Sequence, residues 1–160
     1  MSDASERAPA ALTDEAVLER FRNTKTRPSG SRTLGYRMAR IDQAAMTVEA
    51  EFVGDPATMA NPMGRVQGGY LCAMLDEVMS AACVVASGLK AAAPTLEMKV
   101  SFIRPAMPGP MRGVGRVLRL GRQVAFTEGE LYDGEGRLLA KASGTAIPTP
   151  LETFRKARGR

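Results

Sequence analysis

The order of periodicities along the chain predicts an α+β fold in which a curled antiparallel six-stranded sheet wraps around one long central helix. Two segments that alternate apolar and polar residues come first. A run from Gly69 to Ser87 that is apolar or small on nearly every face follows, and then four more alternating segments in direct succession. A helix apolar all round must be buried on most sides. A flat sheet covers one side only, so the sheet should curl around the helix and leave some helix surface for a partner.

The elements can be justified in chain order. Residues 1–11, small and polar or rich in Ala and Pro, are expected to form a disordered leader ahead of a single domain over 12–150, with a basic tail over 151–160. Thr13 offers an N-cap to a short helix from about Asp14 to Asn23, with Asp14 and Glu15 in its first turn and Ala16, Val17, Leu18 and Phe21 on its apolar side. Pro28, Ser29 and Gly30 close that segment. Strands are predicted over about Thr33 to Ile41 and Ala45 to Val53, separated by Asp42 and Gln43; Met46, Val48, Ala50 and Phe52 alternate with Thr47, Glu49 and Glu51. The connection from Gly54 to Gly69 is long for a compact domain, which marks it as a candidate functional loop.

In the central helix Leu71, Leu75, Val78, Ala82, Val85 and Leu89 recur at helical spacing, and Asp76 falls in the sector of Cys72, Met79, Ser80 and Cys83, an expensive place for a carboxylate. The stretch from Tyr70 to Leu89 is apolar enough for a membrane span, but Asp76 and Glu77 near its middle favour a buried helix. The period then becomes two. Strands are expected from Thr95 to Arg104, from Arg112 to Leu120, from Gln123 to Tyr132 and from Arg137 to Ile147. A wide turn through Pro105, Pro108, Gly109 and Pro110, a tight connection at Gly121-Arg122 and a hairpin at Asp133-Gly134-Glu135-Gly136 join them. Pro148 and Pro150 stop the sheet.

Composition bounds the chemistry. With 160 residues, 44% apolar and 24% charged, the chain fits one globular domain whose core needs neither disulfides nor metal. It contains no histidine, which excludes every Ser-His, Cys-His or His-metal scheme. Cys72 and Cys83 make neither a disulfide framework nor a zinc site and are most simply packing residues. No cofactor and no metal are expected. The net charge of +5 is concentrated in the tail, where Arg155, Lys156, Arg158 and Arg160 stand against Glu152 alone. With 5% aromatics and no stacking pattern, a solvated tail is favoured over nucleic-acid binding. The N-terminus lacks the basic-then-apolar layout of a signal peptide, so a cytoplasmic location is expected, with no membrane partner.

The stretch from Asn61 to Asp76 carries Asn61, Gly64, Gly68-Gly69 and Asp76 in a fixed order. It resembles the signature of the hotdog-fold acyl-CoA thioesterases of the phenylacetate-degradation type, which have Asn, Gly, His-Gly-Gly and an Asp nine residues after the His. Pro94-Thr95, Arg104-Pro105-Ala106 with Gly109, Gly121-Arg122, the Asp133 hairpin and Ala142-Ser143-Gly144-Thr145 match later landmarks, so the resemblance covers about residues 34–147. The chain departs from the pattern at Gln67, where His is usual. An amide can donate a hydrogen bond but cannot carry a proton.

The resemblance implies hydrolysis of an acyl-CoA thioester, aryl or medium-chain, to free acid and CoA, by a homodimer that often pairs into a tetramer, with Asp76 across a dimer interface from the Gly-Gly turn. The residues support that chemistry independently. Gly68 and Gly69 open a helix whose free N–H groups favour negative charge, and without a Cβ they let a carbonyl approach, so the Gly68 N–H is the candidate oxyanion donor. Asp76 is the candidate base that activates water, or the nucleophile itself. Asn61 and Gln67 could orient thioester or water, Thr95 matches a position beside the nucleophilic water, and Arg104 and Arg122 are candidates for CoA phosphates. Plainer roles stand beside these: a tight turn for Gly68-Gly69, a turn ahead of Pro62 for Asn61, a structural pairing for Asp76, an ordinary strand residue for Thr95 and solvated charges for the arginines. Glu77 is expected at the edge or at the dimer contact. Met59, Met63, Tyr70, Met74 and Met79 could line an acyl pocket or fill the core. A hotdog protein that binds acyl-CoA without hydrolysing it is the alternative that Gln67 keeps open, and a hydratase is disfavoured by the absence of histidine.

Overall fold

A computed structural model describes residues 12–24 and 27–153. The proposed leader over 1–11 and most of the basic tail, 154–160, lie outside the described residues. The elements are α1 (Asp14–Arg22), α2 (Ser29–Thr33), β1 (Arg37–Asp42), β2 (Thr47–Gly54), α3 (Pro56–Met59), α4 (Gly68–Ala86), β3 (Ala91–Ala92), β4 (Thr95–Phe102), β5 (Gly109–Leu120), β6 (Ala125–Asp133), β7 (Leu138–Ala146) and β8 (Thr149–Pro150). Six strands form one antiparallel sheet in the order β1-β2-β5-β6-β7-β4, and β3 pairs with β8 beside it. This is the hotdog arrangement: α4 lies in the concave face of the sheet, with Leu71, Met74, Leu75, Val78 and Met79 buried against Ala50, Phe52, Leu131, Ala140 and Ala142, and Ala82 in a second cluster with Val48, Val117 and Ala125.

The sheet admits the helix because small residues floor the trough. An ideal Cβ on Gly115 would lie 2.1 Å from the carbonyl oxygen of Val78, so β5 meets the backbone of α4 with no side chain between. Gly129 and Gly144 seat Met79 in the same way, with hypothetical Cβ atoms 2.8 Å from its sulfur and 2.6 Å from its methyl carbon. On the convex face the strands carry charge, including the ion pairs Arg40–Glu49, Arg112–Glu49 and Lys141–Glu130.

Several predicted boundaries shift for identifiable reasons. The first strand begins at Arg37 rather than Thr33, because residues 29–33 form the short helix α2, in which the Thr33 hydroxyl donates to the Ser29 carbonyl and Ser31 is buried. Met46 belongs to the β1–β2 turn, at φ +50°, and Asp42 Oδ1 accepts the Ala45 N–H there. Gly109 and Pro110 are not turn residues but the start of β5, opposite Gly54 and Val53. Pro150 does not end pairing either; with Thr149 it forms β8 against Ala91–Ala92. The N-cap of α1 is as expected, with Thr13 Oγ1 accepting from the Ala16 N–H at 3.3 Å.

Candidate functional site

The loop before α4 is built by Asn61. Its side-chain carbonyl accepts the N–H groups of Met63 and Arg65, at 2.9 and 3.0 Å, and its backbone N–H donates to the Arg65 carbonyl. The turn role of Asn61 therefore occupies its Oδ1, while its amide nitrogen has no partner among the described residues. The loop is then stitched down by Val66 N–H to the Ala106 carbonyl and Gln67 N–H to the Met59 carbonyl.

Gln67 is the N-cap of α4. Its Oε1 accepts the Gly69 N–H at 2.8 Å, and its backbone carbonyl accepts the Tyr70 N–H at 3.0 Å. A helix start leaves several N–H groups without intrahelical partners. Here the Gln67 cap satisfies the second and its own carbonyl the third, so the Gly68 N–H is left as a free donor among the described residues. Side chains close in on both glycines. A Cβ on Gly69 would sit 2.7 Å from Gln67 Oε1 and one on Gly68 would sit 3.1 Å from the ring of Phe102.

Gly68 lines a cavity of about 360 Å³ together with Asn61, Leu71, Phe102, Arg65 and Arg104. Among the described residues no carboxylate lines it, and Arg104 is steadied by donating from Nη1 to the Leu138 carbonyl at 2.9 Å. Met63, Phe102 and Ile103 stay exposed around it. Arg65 and Phe102 were not among the residues the sequence singled out; a basic residue just ahead of the Gly-Gly turn was the available signal for the first.

Asp76 lies eight residues along α4 from Gly68, about 12 Å away along the helix axis. The half-buried carboxylate accepts the Thr95 hydroxyl through Oδ1 at 2.5 Å, while Oδ2 has no protein partner among the described residues. A register shift between Thr95 and Glu97 marks a bulge at the start of β4, the kind of irregularity that re-aims a side chain. The fold thus gathers Asn61, Gly68 and Arg104 at one end of α4 and joins Asp76 to Thr95 further along it, but within one chain it does not bring the two groups together. Arg122 sits in the β5–β6 turn with Arg119 and Phe126, at the end of the sheet away from Arg104. The cysteines are held as thiols: burial pushes Cys72 up and Cys83 up to about 11.

Glu77 is not simply at an edge. It is half-buried, and its Oε1 accepts the Ser31 hydroxyl at 2.7 Å. Burial raises its carboxyl above the ordinary range, the Ser31 hydrogen bond opposes this and the neighbouring Asp76 adds to it.

Residues 63–140 match the family model described as the thioesterase superfamily. The fold is similar to that of a phenylacetic acid degradation-related protein from Ralstonia eutropha, a proposed thioesterase, at 36% identity and TM-score 0.72, covering 81% of this chain and 98% of that one. The PaaI protein of the E. coli phenylacetic acid degradation operon shares the fold at TM-score 0.67 and 20% identity, over 76% of this chain and 84% of that one. A proposed esterase of Thermoplasma volcanium is 32% identical over 49% of this chain; the chain spans only 59% of that relative's length.

Proposed function

The chain belongs to the thioesterase superfamily, and from that premise we propose that it hydrolyses an acyl-CoA thioester, aryl or medium-chain, to the free acid and CoA. The observation that carries this reading is the Gly68 N–H at the start of α4, without a partner among the described residues, in a residue that lines a cavity with two arginines and, among those residues, no carboxylate. The thioester carbonyl accepts from that N–H, where the helix dipole also favours the negative charge that develops on its oxygen. Losing one such donor typically costs about 2.7–4 kcal/mol of transition-state stabilisation.

Asp76 supplies the base. With Oδ1 held by Thr95, the free Oδ2 takes a proton from water as the water oxygen bonds to the carbonyl carbon. The tetrahedral oxyanion collapses, the C–S bond breaks with its electron pair on sulfur, and the thiolate leaves. A thiol of pKa about 8.5 departs at neutral pH without an obligatory acid, so replacement of the family His by Gln67 removes nothing that this step needs. Gln67 instead caps the helix that carries the oxyanion donor. Direct attack by Asp76 on the carbonyl is the variant in which water enters one step later. Arg65 and Arg104 supply positive charge for the phosphates of CoA.

The gap of about 12 Å along the axis between Gly68 and Asp76 supports a site made by two chains, the carbonyl held on one and the base supplied by the other. The outer edge of β4 beside Asp76, unpaired among the described residues, supports a homodimer assembled there. The second reading, an acyl-CoA binding protein without turnover, draws on Gln67 alone. Free-thiol release from phenylacetyl-, benzoyl-, hexanoyl- and lauroyl-CoA by the wild type and Asp76→Asn separates the two. Hydrolysis that falls at least about 100-fold in the variant supports the enzyme; binding of the panel without hydrolysis by either protein overturns it.

A further inference from the structure

The cavity at the start of α4 is bounded by two pinned loops. Residues 61–66 are held by Asn61, whose side-chain carbonyl accepts the Met63 and Arg65 N–H groups. Residues 103–108 are held by the Leu139 carbonyl, which accepts the N–H groups of Ile103 and Arg104 at 2.8 and 3.1 Å. The Val66 N–H, donating to the Ala106 carbonyl at 2.9 Å, joins one loop to the other. On this fixed frame three large apolar side chains stand in solvent: Met63 is 77% exposed, Met107 52% and Ile103 46%. All three lie outside β4, so pairing of that strand with a second copy does not account for them. Arg65 and Arg104 line the cavity beside them, and the carboxylates of the adjoining hairpin, Asp133 and Glu135, are both engaged by Arg137.

Resting on the thioesterase reading, we propose that this rim docks an acidic acyl carrier protein, so that the substrate class includes acyl groups held as thioesters on a carrier's phosphopantetheine arm. The arm repeats the pantetheine and one phosphate of CoA. The two substrates differ in what lies beyond it, a nucleotide in one and a protein face in the other. A nucleotide brings further phosphates and a sugar, which gain nothing from exposed methionine and isoleucine. A protein face does gain: interface cores are enriched in Met and Arg and depleted in Lys, Asp and Glu, which is the composition of this rim. Methionine also adapts its shape to a partner surface, and the two arginines select a partner of negative charge. Because both loops are already held, little freedom is lost on docking. In the reaction water adds to the carbonyl carbon and the C–S bond breaks with its electron pair on sulfur. The thiolate remains on the carrier, the acid departs, and the proton taken up by Asp76 returns to solvent.

The test compares kcat/KM of the full-length protein for hexanoyl-CoA and for the same hexanoyl group on a small acidic acyl carrier protein, in the wild type, Met107→Glu and Met107→Leu. The wild type should prefer the carrier-bound thioester by about tenfold or more, the gain from one well-packed apolar contact. Met107→Glu sets a negative charge against an acidic face, so it should lower the carrier value about tenfold and leave that for hexanoyl-CoA within about twofold. Met107→Leu should keep the preference. The ratio of the two values does not depend on the fraction of protein folded. A ratio unchanged by Met107→Glu therefore overturns the proposal, as does a wild type without the preference, and either leaves the thioesterase reading standing. If neither thioester is hydrolysed, that reading fails, and amide-resolved NMR titration with the phosphopantetheinylated carrier decides the rim alone. Shifts at Met63, Arg65, Ile103 and Met107 sustain it, and shifts elsewhere or none overturn it.

Discussion

Gln67 shows how one side chain can leave a family pattern and keep its geometry. A His-to-Gln change loses a titratable group, but the amide oxygen reaches the N–H of the second helical residue, as a good N-cap does. Gln67→Ala should therefore cost about 1 kcal/mol of stability, measured by urea unfolding. Gly69→Ala, whose new Cβ would meet the cap oxygen at 2.7 Å, should displace the flexible amide and cost less than Gln67→Ala, because the better helix propensity of Ala offsets part of the lost cap. A Gln67→Ala protein as stable as the wild type would show that the cap is idle. Glu77 gives a prediction in pH. Burial raises its carboxyl in the folded state, so the protonated form favours folding. Its contribution is fully present below the ordinary glutamate range and is lost as pH rises through the raised value. Glu77→Gln should thus gain stability relative to the wild type between acid and neutral pH, and a stability difference flat across that range would contradict the burial argument.

Among the elements, those legible in the sequence were the ones whose burial imposes a period. The apolar run of α4 and the alternation of β2, β6 and β7 follow directly from which faces pack. α2 escaped notice because Pro28, Ser29 and Gly30 signal a break, while its reason to form is tertiary: Ser31 is buried against Glu77, forty-six residues away. The start of β5 was hidden in the same way, since Gly109 and Pro110 look like turn residues until β2 lies opposite them. The glycines of the trough carry no periodic signal at all. Spacing draws attention to Gly68 and Asp76, whereas it gives no sign of a cavity beside Glu77, because α1, α2 and α4 meet there only in the fold. Gly115→Ala tests the closest helix–sheet approach. With a Cβ forced to 2.1 Å from the Val78 carbonyl oxygen, either β5 or the backbone of α4 must move. The expected loss is about 3 kcal/mol or more, at the upper end for overpacking, read from denaturant midpoints. A loss below about 1 kcal/mol would mean that the helix is free to lift away.

For the molecule as a whole, the unfinished part is the side of the sheet at β4. This strand pairs with β7 along one edge and with nothing along the other among the described residues. Leu96 and Phe102 are 57% and 55% exposed, although both belong to the strand that flanks α4. A long free edge with exposed apolar side chains is ordinarily avoided unless another chain covers it. Beside it, α4 presents Cys72, Asp76 and Ser80, none of them large enough to keep a second helix away. A second copy related by a two-fold axis would pair β4 with β4, cover Leu96 and bring Gly68 of one chain towards Asp76 of the other. On the two-chain proposal, light scattering should find the wild type as a dimer or a multiple of it. Leu96→Lys places like charges at the joint and should shift the protein towards monomer. Because each half-site is incomplete alone, hydrolysis per chain should fall with the dimer fraction, by about 100-fold or more where monomer prevails, while circular dichroism stays unchanged. A folded Leu96→Lys monomer that turned over substrate at the wild-type rate would mean that Gly68 and Asp76 do not act together across two chains, and the base would have to be sought in the chain that holds the carbonyl.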